Sequence, residues 1–537
     1  MGDSACFQVV PVSGGAPEYT FVGGTRAVSE MSGLGVGGML QYVHEHWTPV
    51  KTPPMEEGKS KKKALDMLDK SRGAKGLPAL HLIHQALRWL PREEEELEKE
   101  LFEFQEELIS GLGLSDKEES KERSQDWISE KLKVEWGKGR GRYVVSSAPI
   151  EVGEELVREQ PVVSILHHSH LETNCLACLR PLLRAVSCPN CSSVLFCSDD
   201  CLKAVSTTHH NLECGNLHIL PGRGPLVPPL RLITSASRQE SLCIAEELSQ
   251  LPPPQPGLLA DQGGILGLQA GCKNSSQYRI DKAAHAYYLV TILKSLGFFE
   301  NNNDDALEEE HLAIGVLLNH YIKISDDNCH EISELSLPKS GVPSSFDELF
   351  QEVEEVVEVV GVAIYPRMSL FNNCCDVNTV KYQQGKQEVL VAKRDIAEGE
   401  EISDFYGEHF FESDKWSRKA ALGFPCACRA CREGWPLLED LPRLSVEEAE
   451  ERFEWAMARV ALEQQLAGFD VEEVSRLCRQ LGRLAKVEAP HEVLVLPGIY
   501  LHYATLFLHA NASLAFQLAF RRHVDKLKPY ITIPILN

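Results

Sequence analysis

Apolar residues recur at two periods along this chain of 537 residues. Between 78 and 110 the spacing is helical. Leu80, Ile83, Leu87 and Leu90 share one face until Pro91 interrupts it, and Leu97, Leu101, Phe104 and Leu108 mark a second helix. The EEEELEKE run between them reads as a solvated face. From 133 to 166 the pattern changes to alternation with glycine turns, KVEWGKGRGRYVVSSAPIEVGEELVREQPVVSIL, which predicts strands. Helices are predicted again over 278–360, notably AAHAYYLVTILKSLGFF and SFDELFQEVEEVVEVVG. Strand character returns at VAIYPRMSLF and in VKYQQGKQEVLVAKRDI, read as a hairpin around Gly385, and residues 437–526 read as helical. Residues 1–50 are glycine-rich without a sustained period, 51–77 read as a solvated basic linker, and 220–256 form a proline-rich loop. The KSKKK cluster in the linker also fits a nuclear import signal.

One internal echo ties distant segments together. IEVGEEL at 150–156 matches IAEGEEI at 396–402, and each predicts a tight turn between strands. The two halves of one sheet are therefore expected on either side of a long insertion.

Charge and composition narrow the partners. A net charge of −24 opposes binding to nucleic-acid backbone and suits a basic partner such as a lysine-rich peptide. No run reaches about 18 apolar residues, so no membrane span is expected. The opening MGDSACFQVV lacks the basic and apolar regions of a signal peptide. An intracellular, reducing location is expected, in which the 17 cysteines bind metal rather than form disulfides.

Seven of those cysteines fall within 175–214, spaced C-x2-C-x9-C-x2-C-x5-C-x3-C-x8-H-x3-C. Zinc takes four sulfur or imidazole ligands, so eight ligands make two sites. The interleaved pairing is Cys175, Cys178, Cys197 and Cys201, then Cys188, Cys191, His210 and Cys214. His210 is preferred to His209 because H-x3-C places both ligands on one helical face. A second cluster, FPCACRACREG, offers Cys426, Cys428 and Cys431 and leaves zinc one ligand short. SLFNNCCDVNT can supply it, from either Cys374 or Cys375.

Taken in order, these segments resemble the SMYD family, SET-domain lysine methyltransferases with a MYND zinc finger inserted in the SET domain. GKGRGRYVVSSAPIEVGEEL is similar to the first SET segment, 175–214 to the finger, AIYPRMSLFNNCCDVNT to the SET signature, EEISDFYG to the strand carrying the catalytic tyrosine, and FPCACRAC to the post-SET zinc motif. The subgroup with N-terminal tetratricopeptide repeats is nearest, though only one helix pair here resembles such a unit. The resemblance implies an α+β fold: a β-rich SET core split by the finger and a helical insert, a post-SET zinc site and a helical C-terminal lobe. The expected organisation is an irregular region at 1–77, a helical segment at 78–132, the split SET domain at 133–435 with its finger at 175–214, and helices at 437–537.

The same resemblance implies protein-lysine methylation with S-adenosylmethionine as methyl donor and three bound zinc ions. Lys138, Gly139, Arg140, Asn372, Asn373, Tyr406 and Phe424 would contact the cofactor, Tyr406 would be catalytic, and Cys375 would complete the post-SET site. Asn373 stands where the signature has histidine, Val377 where it has proline, and Leu422 where a second tyrosine walls the lysine channel. The expected partners are a protein carrying the target lysine, histone or non-histone, and proline-containing peptides at the finger, in cytoplasm or nucleus. A zinc-stapled interaction scaffold with little or no catalysis is the alternative.

Overall fold

In a computed structural model the described residues are 34–46, 59–113, 125–217 apart from 138–140, 226–250, 264–268, 275–300, 307–336, 356–441 and 510–518, with strands 6–10 and 18–22 and single positions 31, 220 and 506. The fold is α+β. Three four-stranded sheets carry it, and each is built from chain on both sides of the finger. Val163–Leu166 pairs with Val357–Ile364, which pairs with Cys329–Leu335 and then Asn511–Ala512. Leu132–Gly137 and Gly141–Ser146 join Glu401–Asp404, which takes Asn372–Asn373 on its far edge. Trp127–Ile128 and Glu155–Glu159 join the hairpin Thr379–Gln384 and Gln387–Ala392.

The internal echo becomes a near-twofold contact. Ile150 and Ile396 donate to each other's carbonyls at 3.0 and 2.9 Å. Gly153 and Gly399 both take positive φ, 84° and 79°, a backbone state that side chains with a Cβ disfavour. Their N–H groups reach across to Ala392 O and Ser146 O, each at 2.8 Å. The repeated IxxGEE pattern thus closes two turns against one another.

Several expectations are corrected, among them the proline-rich loop at 220–256, within which Val227–Thr234 and Arg238–Gln250 are helices. The irregular linker at 1–77 is replaced by paired strands Cys6–Val10 and Glu18–Val22 and helices Val36–His46 and Lys61–Gly73. In the second helix Ala64, Leu68 and Ser71 form a buried stripe beneath a lysine-rich face, so packing overrides a poor local signal. The helical reading of EVVEVVG fails as well. Val357–Ile364 is a strand, because the β-branched run is held between two neighbours of its sheet.

Most of the expected helical C-terminal lobe, 442–505 and 519–537, lies outside the described residues. The helical insert packs as a layer: Ser276–Ser295 and Glu309–Asn328 bury apolar side chains together with Val36–His46. Among the described residues no helix is long and apolar enough to cross a membrane.

Helices Leu77–Trp89 and Glu95–Leu112 cover one side of the 175–214 segment. Gln105 Oε1 accepts the Ala185 N–H at 2.8 Å, and Glu106 holds the Arg184 guanidinium at 2.6 and 2.9 Å. Arg88 bonds to the Ser192 carbonyl and to Glu172.

Candidate metal centres and cofactor cleft

Three groups of four ligand atoms converge, each within 4.8 Å: Cys175, Cys178, Cys197 and Cys201; Cys188, Cys191, His210 and Cys214; and Cys375, Cys426, Cys428 and Cys431. Zinc–sulfur bonds of about 2.3 Å put tetrahedral ligands about 3.8 Å apart. Cys178–Cys197 and Cys375–Cys431 stand at 3.6 Å and Cys188–Cys214 at 3.7 Å, which fits zinc and is far too long for a disulfide. His210 Nε2 lies 3.3 Å from Cys188 and 3.8 Å from Cys191. His209 does not join either set.

Local structure explains the convergence. The finger's two short strands, Val186–Ser187 and Leu195–Phe196, pair as a hairpin between its two metal groups. Ser198 caps the Asp199–Ser206 helix through the Cys201 N–H, which fixes that thiol at a helix start. Leu179, just after Cys178, takes φ 62°, and its N–H donates to Cys175 O at 2.9 Å, which closes that ligand turn.

The third group ties distant segments together. Asn372–Asn373 runs parallel to Ser403–Asp404, and Cys374 N–H donates to Asp404 O at 3.0 Å. The chain then turns so that Cys375 faces the Cys426–Cys431 loop. Cys374 stays outside that set, its thiol donating to Asp376 O at 3.2 Å. The sequence did not single out Arg418. It is buried, and its Nη2 lies 3.4 Å from Cys431 Sγ. Its guanidinium offsets the charge of four thiolates, a supporting role that only the tertiary contact exposes.

Next to this group lie the other residues that the sequence singled out, around Tyr406. Asn373 Oδ1 accepts the Tyr406 N–H at 3.0 Å, while its Nδ2 points at Cys426 Sγ at 3.5 Å. Tyr406 exposes 46% of its surface, yet its hydroxyl is enclosed and donates to Phe371 O at 2.5 Å. Burial, with a smaller contribution from Asp404, raises the phenol above its usual range, so it stays neutral. Asn372 Nδ2 donates to Arg142 O at 3.1 Å. Phe424 is 43% exposed, directly after the left-handed Gly423 that ends Lys415–Leu422. Leu422 sits beside Gly407, since a Cβ there would meet its Cδ2 at 3.8 Å. Lys138, Gly139 and Arg140 lie outside the described residues, between strands that pair at Gly137 and Gly141.

Sequence reading also missed Asn378 and Lys381. Buried Asn378 donates to Glu401 O at 2.9 Å and accepts from Ser403 N at 3.0 Å, which clips the 375–378 turn to the strand before Tyr406. Lys381 pairs with buried Asp404 at 2.7 Å and donates to Phe405 O at 3.2 Å. Its place inside SLFNNCCDVNT, the stretch already quoted as the signature, was the available signal for Asn378.

Curated relatives align with this architecture. A protein-lysine N-methyltransferase SMYD4 of Pongo abelii is 22% identical over 369 residues, 55% of this chain and 45% of that protein. A histone-lysine N-methyltransferase SMYD3 of Mus musculus is 23% identical over 318 residues, 56% and 62%. The chain is similar to the SMYD methyltransferases. A SET and MYND domain-containing protein of Dictyostelium discoideum is 37% identical over 78 residues, 14% of this chain and 6% of that protein. The matches to the SMYD4 and SMYD3 relatives thus span about half of their length. No family model matches. A solved SET domain of LSMT bound to lysine and AdoHcy covers 75% of this chain at 11% identity, with a TM-score of 0.20, too low to bear on the fold.

Proposed function

We propose that the chain is a protein-lysine N-methyltransferase that moves a methyl group from S-adenosylmethionine to a lysine of a histone or non-histone protein. The observation that carries this reading is the junction at Asn373, where one carboxamide reaches both the Tyr406 backbone and a thiolate of the third metal group. Residues 133–435 are read as a SET domain divided by the finger at 175–214, preceded by helices at 78–132 and followed by a helical region at 437–537. The compartment proposed is intracellular, cytoplasm or nucleus, and the finger is proposed to hold proline-containing peptides.

When bound, S-adenosylmethionine would supply a sulfonium methyl open to in-line attack by a neutral lysine amine, with the neutral thioether as the leaving group. Asn372, Asn373, Phe424 and the Lys138–Arg140 loop would hold it, with Phe424 offering an exposed aromatic face. Tyr406 keeps its proton, so it orients the acceptor amine and does not remove a proton from it. The three clusters hold zinc structurally: each fills all four tetrahedral positions, leaving none for a reactant.

Calorimetric titration of S-adenosylmethionine into the zinc-loaded chain tests the cleft. One-to-one binding is expected, together with methylation of lysine peptides that falls at least about 100-fold in Tyr406→Phe. Absence of binding in a folded, metal-replete sample would overturn the proposal. The scaffold reading would then stand, favoured by one observation: Leu422, without a hydroxyl, occupies the space beside Gly407.

A further inference from the structure

A cavity of about 380 Å³ opens where helix Leu77–Trp89, the entry to the finger, the Cys329–Leu335 strand and the short 513–515 segment meet. That size suits a small ligand, whose sites span about 300–1,000 Å³. It shares no lining residue with the cleft around Tyr406. Its polar lining is one-sided. Three carboxylates, Glu172, Glu334 and Glu358, and three imidazoles, His81, His84 and His170, face it, and no lysine or arginine does.

Glu172 is matched by Arg88 from outside the wall. Glu334 is 5% exposed and receives the Asn174 amide at 2.9 Å, while Glu358 has His170 Nε2 at 3.5 Å. Neither has a lysine or arginine partner among the described residues. His84 is 2% exposed, and its Nε2 has no hydrogen-bond partner. The Leu183 backbone and the Gln105 side chain engage the ring in the sense that favours an N–H donor there, and burial holds the imidazole neutral, at about 3. A neutral imidazole keeps one nitrogen as an acceptor, and Nε2 is the nitrogen without a hydrogen-bond partner. A buried acceptor without a donor costs free energy until one arrives, and beside it Glu334 and Glu358 are met only by an amide and an imidazole. A metal ion is a poor fit, because no three of these ligand atoms come within 4.8 Å of one another.

We infer that this cavity is a binding site for an alkylammonium group, carried by a free polyamine or by a lysine side chain of a partner. The ammonium would sit between Glu334 and Glu358 and donate to His84 Nε2, with its alkyl stem against Leu77, Leu80 and Leu182. This inference does not rest on the methyltransferase reading.

Calorimetry on the zinc-loaded full chain tests it with n-butylammonium, spermidine and Nα-acetyl-lysine methylamide, and with butyrate as the anionic control. One saturable site is expected for the amines and none for butyrate. Glu358→Gln, at a half-exposed position that tolerates change, is expected to weaken binding at least fivefold, and Glu334→Gln to do the same. Tyr406→Phe is expected to bind unchanged, which separates this site from a lysine channel at the cleft. Tighter binding of spermidine than of the lysine amide supports a polyamine site, and the reverse order supports a protein-borne lysine. Absence of saturable amine binding, equal binding of butyrate, unaltered affinity in both glutamate variants, or loss in Tyr406→Phe would each overturn it.

Discussion

The Asn373 carboxamide serves two neighbours at once. Its oxygen receives the Tyr406 N–H and its nitrogen approaches Cys426, so the metal group and the tyrosine move as a unit. Asn373→Ala is expected to leave the metal content unchanged and to lower cofactor affinity about tenfold, read by calorimetry. The buried glutamates carry a pH signature. Burial raises Glu159 and Glu334 to about 7 from an ordinary value of 4.5. Between those values the folded protein binds more protons than the unfolded chain, so these groups lower stability as pH rises from about 4.5 to 7. Glu334→Gln removes one such contribution, of order 3 kcal/mol at most. Chemical denaturation at pH 5 and pH 7.5 should show a smaller loss of stability with rising pH in the variant than in the native chain. An equal change in both proteins would rule this out.

At the scale of elements, close approach explains more than propensity. Gly361 lies on the Val357–Ile364 strand, where a Cβ would stand 2.3 Å from Ile165 O of the neighbouring strand and 2.9 Å from Leu179 of the finger. Gly361→Ala is expected to destabilise by about 1–3 kcal/mol, because the nearest atom is backbone and cannot step aside. The urea midpoint measures this; an unchanged midpoint would mean that the strand and finger do not touch there. Helix Lys61–Gly73 teaches the complementary lesson. Its lysines hide the stripe of Ala64 and Leu68 from a search for periodicity, and Leu68→Ala should cost about 2–5 kcal/mol. The EVVEVV run failed for a related reason. Valines spaced three and four apart read as a helix, and only the strands on either side decide otherwise.

Across the whole molecule the metal groups act as staples over very different chain distances. Cys375→Ser should lower the zinc content from three ions to two, whereas Cys374→Ser should leave three, as read by atomic absorption. Chelation should open 175–214 and 426–431 to protease, since metal binding by these thiolates is coupled to the folding of the segments that carry them. The sequence alone determined the ligand pairs within C-x2-C and C-x-C turns, because a few residues of chain fix their geometry. It also determined the facing turns at 150–156 and 396–402, because the same IxxGEE chemistry was written twice. The family resemblance already pointed to Cys375, which the third group contains, rather than to its neighbour, whereas tertiary structure alone decided that Arg418 sits against that group's sulfurs. It alone gathered the acceptors of the second cavity from four separate segments. Ligands close in sequence are limited by local backbone geometry. Groups brought together across hundreds of residues are placed by the packing of sheets and helices, which no local pattern records.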